Sequence, residues 1–286
     1  MRFSDLASYN IRVLSFICSL LIIPIHASFL GQGLEMSRIE RTVMTVISNG
    51  ICRVAVPFFF VVSGFFLALK YRPTLAWYGG ALRKRFFSLY IPFVLWNIIY
   101  FCLQLVNGKG FDCAGQRILG YDLTIYPSCM QFWFLQTLFI AVILSVVLLP
   151  LLRTWSTALL VMGGLLIGSA LNDYGLRLSQ QLSLINFFYI SLGAVLAFNW
   201  DSIPLTRLPC VSLWKMPASL LSLSFFIYAS HHIGINLASI VLSHLKMPLL
   251  AAYCFKIMSG VAVGIGGGLL FRRYLPRIYD LLTGHR

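Results

Sequence analysis

Apolar runs long enough to cross a bilayer recur eight times along this chain, near residues 12–31, 51–70, 86–107, 130–152, 155–171, 182–199, 218–241 and 249–271. A run of about 20 such residues spans a hydrocarbon core as a helix. The expected fold is therefore all-α: a polytopic membrane helical bundle of about eight transmembrane helices. Only 10% of the 286 residues are charged and 59% are hydrophobic, whereas a soluble domain carries about 25% charged residues. No polar stretch between the runs is long enough to build a core of its own, so residues 1–286 are read as a single integral membrane domain.

Lysine and arginine number 22 against 8 acidic residues, a formal charge of +14. In a soluble protein that excess suggests nucleic acid. Here the basic residues flank the apolar runs, no nucleic-acid motif is present, and membrane lipids are the expected partner. Lys70, Arg72, Arg83, Lys84 and Arg85 fall in one connection, and Arg272, Arg273, Arg277 and Arg286 in the tail. Basic loops face the cytoplasm. With eight spans, both termini are expected inside, in the cell (inner) membrane, and the connections 32–50, 107–129 and 172–181 outside. The first run follows a short polar stretch without a small-residue cleavage site, so it reads as a retained helix and not a removed signal peptide. The proline-bearing stretch 201–217 reads as a linker. No internal repeat is visible.

The seven cysteines include no pair with zinc-finger spacing, and neither a metal nor a permanently bound cofactor is expected. Cys113 and Cys129 share one connection and are candidates for a disulfide, with bonded and free forms both open, if it faces an oxidising compartment.

Chemistry in such a chain must come from the few polar residues near its apolar runs. All the acidic residues lie in connections or tails on this reading. That argues against a carboxylate proton relay and a glycosidase-type acid pair, and leaves histidine as the natural base. His26 lies in the first run. Ionisable groups there are costly and usually functional, and an imidazole titrates near neutral pH. Tyr228-Ala229-Ser230-His231-His232 sits within the seventh run. Helix neighbours point about 100° apart, so only one of the two histidines is expected to face a site.

Several residues have a plain structural reading beside the functional one. Arg53 opens the second run and fits an interfacial arginine. Ser63-Gly64 fits a small-residue helix contact. Arg83-Lys84-Arg85 fits a cytoplasmic anchor, or a site for a phosphorylated donor, since arginine pairs well with phosphate. Trp133 fits an aromatic belt. Lys256, inside the last run, needs a partner or a wet cavity. The Gly264–Gly268 stretch follows no strand, which argues for close helix packing and against a dinucleotide loop.

In order, the chain carries FICSLLIIPIHA, RVAVPFFFVVSGFFLA, RKRFFSLYIPFVLW, QFWFLQTLF, FFYISLGAVLA, LSFFIYASHH and RRYLPRIYDLLTGHR. This succession resembles the acyltransferase-3 family of integral membrane acyltransferases, many of which O-acetylate surface polysaccharides. The resemblance implies a catalytic role for His26 as general base, with Arg53 beside it. It implies a donor-side role for Arg85, which with Arg83 and Lys84 would attract the donor's phosphates, while Arg12 would stand in for a first-span arginine of the family. It implies substrate-binding or structural roles for Ser63, Gly64, Trp133, Tyr228 and His231. The implied donor is acetyl-CoA and the implied acceptor a glycan or lipid-linked sugar.

The chain also departs from the family pattern. The family's first-span arginine, eleven residues before the histidine, is Ser15 here, and the second arginine of its cytoplasmic pair is Ser88. Arg12 lies fourteen residues before His26, within about 40° of the same helix face but about 21 Å away. The family usually has about ten spans. Two other readings stay open: a non-catalytic carrier of a lipid-linked sugar, and a transporter. The transporter is ranked last because no run holds a carboxylate.

Overall fold

The computed structural model describes residues 5–106, 130–171, 182–200 and 215–284, all of them helices and short connections with no strand among them. The connections 107–129 (with Cys113 and Cys129) and 172–181, most of the linker 201–217, and Arg286 lie outside the described residues.

Each of the eight apolar runs is found as helix, the seventh beginning with a short separate turn, Ala218–Leu221. The first is α1, Asp5–Ala27. Next come α2, Arg38–Met44, and α3, Ala55–Leu69, joined without a break by a π-helical turn at Thr45–Gly50 and a 3-10 turn at Ile51–Val54. Then α4, Leu75–Arg85, runs through a π turn, Phe86–Tyr90, into α5, Ile91–Val106. After them follow α6, Trp133–Leu151; α7, Trp155–Leu171; α8, Leu184–Phe198; and α9, Ser224–Ser243. Finally α10, Leu249–Ala262, continues through a third π turn, Val263–Gly267, into α11, Gly268–Tyr274, and α12 is Pro276–Thr283. Six stretches are long and apolar enough to cross a membrane; Trp155–Leu171 and Leu184–Phe198 are apolar but shorter. The protein is a multi-pass helical membrane protein.

Two expected connections are helical instead. The stretch 32–50 becomes helix from Arg38 onward because Ser37 starts it with a capping box. The Ser37 hydroxyl accepts from the Glu40 amide at 3.3 Å, and the Glu40 carboxylate accepts from the Ser37 amide at 2.9 Å. Both groups are backbone donors or their partners that a helix start otherwise leaves unmatched. Glu40 is consequently a partly exposed first-turn helix residue and not a loop residue. The basic connection after α3 likewise turns helical at Leu75, where the Thr74 hydroxyl accepts from the Trp77 amide at 3.2 Å. The resulting rods, Arg38–Leu69 and Leu75–Val106, are 32 residues each. At 1.5 Å per residue each is about 48 Å long, more than the roughly 30 Å of a hydrocarbon core. Each is therefore longer than the core it has to cross.

The chain divides into two compact units. Unit 1 comprises Met1–Phe59 and Pro204–Tyr279. Helix association in lipid gains little from the hydrophobic effect and depends on close packing and interhelical hydrogen bonds. Glycine supplies that packing here. A Cβ on Gly234 of α9 would sit 2.8 Å from the Gly260 Cα of α10, and the Ser259 hydroxyl donates to the Gly234 carbonyl at 2.7 Å. On the other side of α10, a Cβ on Gly260 would sit 2.7 Å from Ile23 Cγ2 of α1. Gly264 faces Ile227 and Gly268 faces Phe226 at similar closeness, while Gly266 faces open space. The glycine-rich stretch thus serves helix packing. The buried Lys256 places its Nζ 3.9 Å above the Phe29 ring, a cation–π contact that stands in for a counter-ion.

Unit 2 comprises Phe60–Ile203 and Asp280–Arg286. Its tightest seam joins α3 and α8. A Cβ on Gly64 would run into the Ile190 carbonyl, and one on Gly193 into the Val61 carbonyl. The small-residue reading of Ser63-Gly64 is correct for Gly64. Trp133 opens α6 half-buried, with its ring 5.9 Å from Phe60. It packs against protein and is more than a belt residue. The Trp96 indole donates to the Leu282 carbonyl at 3.0 Å, fixing the end of the tail helix.

Candidate functional site

In unit 1 three imidazoles meet. His26 sits in the last turn of α1, two residues after Pro24. A proline within a helix loosens the local ladder, and the Pro24 carbonyl is among the last four of α1, which no amide within the helix matches, so the turn needs other support. It has it. The Ser48 hydroxyl, from the π turn, donates to the Pro24 carbonyl at 2.9 Å. The Tyr253 hydroxyl of α10 lies 2.8 Å from Ser48 Oγ and 3.4 Å from the same carbonyl. Both side chains are buried.

Opposite His26, α9 presents His231 and His232. Ring centroids lie 5.3 Å apart for His26–His231, 4.6 Å for His26–His232 and 5.0 Å for His231–His232. This corrects the expectation that only one of the neighbouring histidines faces a site. The two rings diverge from α9 and His26 stands beside both. His231 is completely buried, and its Nδ1 lies 3.1 Å from the Ile227 carbonyl. A carbonyl only accepts, so Nδ1 carries the proton and, in the neutral ring, Nε2 carries the lone pair. The Nε2 atoms of His231 and His232 are both buried without a hydrogen-bond partner. A buried unmatched polar atom costs about 1–3 kcal/mol, and such costs concentrate where an arrangement serves chemistry.

Arg53 is not at the start of its helical rod but in the 3-10 turn Ile51–Val54, which packs against α1. Its exposed guanidinium donates to Asn49 Oδ1 at 3.3 Å and is close enough to His26 for the two to interact electrostatically. Tyr228 is buried on α9, a turn before the histidines, with its ring 5.9 Å from Phe225. Arg12 is exposed near the other end of α1 and donates to Ser8 Oγ at 3.3 Å. Ser15, standing where the family has its arginine, donates its hydroxyl to the Ile11 carbonyl at 2.7 Å.

In unit 2, Arg85 ends α4 half-buried. It lines a cavity with Ser63, Leu67, Leu138 and Ile190. The cavity, about 10 Å³, has room for about one water molecule. Arg83 and Lys84 are exposed and do not line it. Of the basic triplet, only Arg85 is thus joined to another expected site residue.

The structure therefore gathers His26, His231 and Arg53 in one unit, and Ser63 and Arg85 in the other. It adds His232, Ser48 and Tyr253. Adjacency to His231 was the one sequence signal for His232. Nothing in sequence marks Ser48 or Tyr253, whose hydroxyls meet across 205 positions.

No curated protein and no solved structure matches the chain. A family model described as an acyltransferase domain matches residues 8–277, nearly the whole length. That span takes in the imidazole cluster, Arg53 and the Arg85 cavity, and the chain belongs to the acyltransferase-3 family of integral membrane acyltransferases.

Proposed function

We propose that this acyltransferase O-acetylates a cell-surface polysaccharide or lipid-linked glycan, using acetyl-CoA supplied from the cytoplasm. The enzyme sits in the cell (inner) membrane with both termini cytoplasmic. The observation that carries the reading is the imidazole cluster. His26, half-buried, has a second ring 4.6 Å away whose Nε2 is buried without a hydrogen-bond partner.

His26 removes the proton from an acceptor hydroxyl as that oxygen attacks the thioester carbonyl. The new C–O bond forms, the C–S bond breaks, and the thiolate leaves and is protonated by the imidazolium. Arg53 faces the negative charge that develops on the carbonyl oxygen. Arg85, with Arg83 and Lys84 at the surface beside it, draws the donor's phosphates. Mass spectrometry of surface glycans tests the assignment. A deletion strain is expected to lose an acetyl mark that the wild-type gene restores, and an unchanged acyl pattern contradicts the assignment.

Ser15 favours a second reading. Its hydroxyl is turned back onto its own helix, so the family's first-span positive charge has no replacement at that point. On this reading the chain carries a lipid-linked sugar without modifying it. Altered glycan export with unchanged acyl content in the deletion strain favours the carrier.

A further inference from the structure

We propose that His26, His231 and His232 form a binding site for one divalent transition-metal ion of the zinc class, and that the ion competes with the proton-accepting role of His26. Each ring offers one nitrogen, and these three atoms lie within 4.8 Å of one another. A tetrahedral zinc with bonds of about 2.0–2.1 Å holds its ligand nitrogens roughly 3.3 Å apart. Closing that gap takes small side-chain rotations. His26 and His232, both only half-buried, would supply them.

Three further features fit a metal. First, the His231 Nδ1 proton is held by the Ile227 carbonyl, the arrangement that fixes a metal-binding imidazole with its other nitrogen bare. Second, the Nε2 atoms of His231 and His232 are buried without partners, so an ion would satisfy atoms that now go unmatched. Third, the set contains neither carboxylate nor thiolate. Neutral imidazoles suit zinc, copper or nickel and do not suit magnesium or calcium. The nearby Arg53 charge opposes a bare dication, and an anion such as hydroxide in the fourth position offsets it.

Ion binding does not depend on the proposed function. The competition does, because an ion held by the His26 lone pair leaves no free base.

The test uses full-length protein purified in detergent without a polyhistidine tag and stripped with a chelator. Zinc binding is measured by equilibrium dialysis, and cobalt is added as a tetrahedral reporter by its visible absorption. We expect one ion per wild-type chain and affinity reduced tenfold or more in His231→Ala and His232→Ala. His244→Ala, an exposed residue beyond the end of α9, is expected to bind as wild type. If His231→Ala does not fold, His232→Asn carries the comparison. Equal binding by wild type and these variants overturns the site.

In transfer assays, zinc is expected to inhibit and chelator to restore activity. Activity lost on chelation and recovered with zinc overturns the competition. A preparation with no transfer activity contradicts the proposed function, while the dialysis still decides the site.

Discussion

The His26 ring lies 4.6 Å from that of His232, closer than its 5.3 Å to the fully buried His231. His232 is therefore the nearer neighbour of the proposed base, and its Nε2 is buried without a hydrogen-bond partner. We expect it to stabilise His26 once His26 has taken a proton. His232→Ala should lower kcat about tenfold with little change in KM, less than the roughly 10²-fold or more of a group that itself transfers the proton. Wild-type kinetics in this variant would remove His232 from the reaction.

Tyr253 and Ser48 hold the proline-loosened turn that carries His26. Tyr253→Phe keeps the ring and the Ser48–Pro24 bond and deletes one buried hydroxyl. The expected loss is about 1 kcal/mol of stability, read by thermal unfolding in detergent, with a fall in kcat. Ser48→Ala should cost more, since Pro24 then loses its shorter hydrogen bond.

The α3–α8 seam tolerates no side chain at Gly64 or Gly193. Gly64→Ala and Gly193→Ala should each destabilise by about 1–3 kcal/mol or more, because a Cβ meets backbone that cannot rotate away. Gly163→Ala and Gly164→Ala in α7 face open space. They should be neutral or stabilising by roughly 0.5–1 kcal/mol, the helix penalty of glycine. Folded yield and melting temperature separate the two pairs.

Arg85 is the one member of its basic triplet that lines the Ser63 cavity. A hydrogen bond to a charged group is worth about 1.5–3 kcal/mol, so Arg85→Ala should raise the KM for acetyl-CoA roughly tenfold or more. Arg83→Ala, at an exposed site, should change it much less. Equal effects would point to a diffuse electrostatic contribution instead.

Much of the fold was readable because backbone in lipid must pair with itself, which turns every long apolar run into a helix. Helix ends were less readable. Ser37-Arg38-Ile39-Glu40 spells a capping box, yet polarity alone marked the stretch as a loop. The site was legible at His26 and His231, where ionisable groups interrupt apolar sequence. The expectation that one of His231 and His232 faces a site rests on the geometry of a single helix, which does not say how closely another helix approaches. Ser48 and Tyr253 are ordinary residues made important only by the packing of α10 and the π turn around Pro24.

The most direct test is transfer of labelled acetyl groups from acetyl-CoA to isolated surface glycan by purified wild-type and His26→Ala protein, both shown to be folded. If His26 is the base, the variant should be slower by a factor of about 10²–10⁴ while still binding donor. Undiminished transfer by folded His26→Ala would contradict the assignment of His26 as the catalytic base.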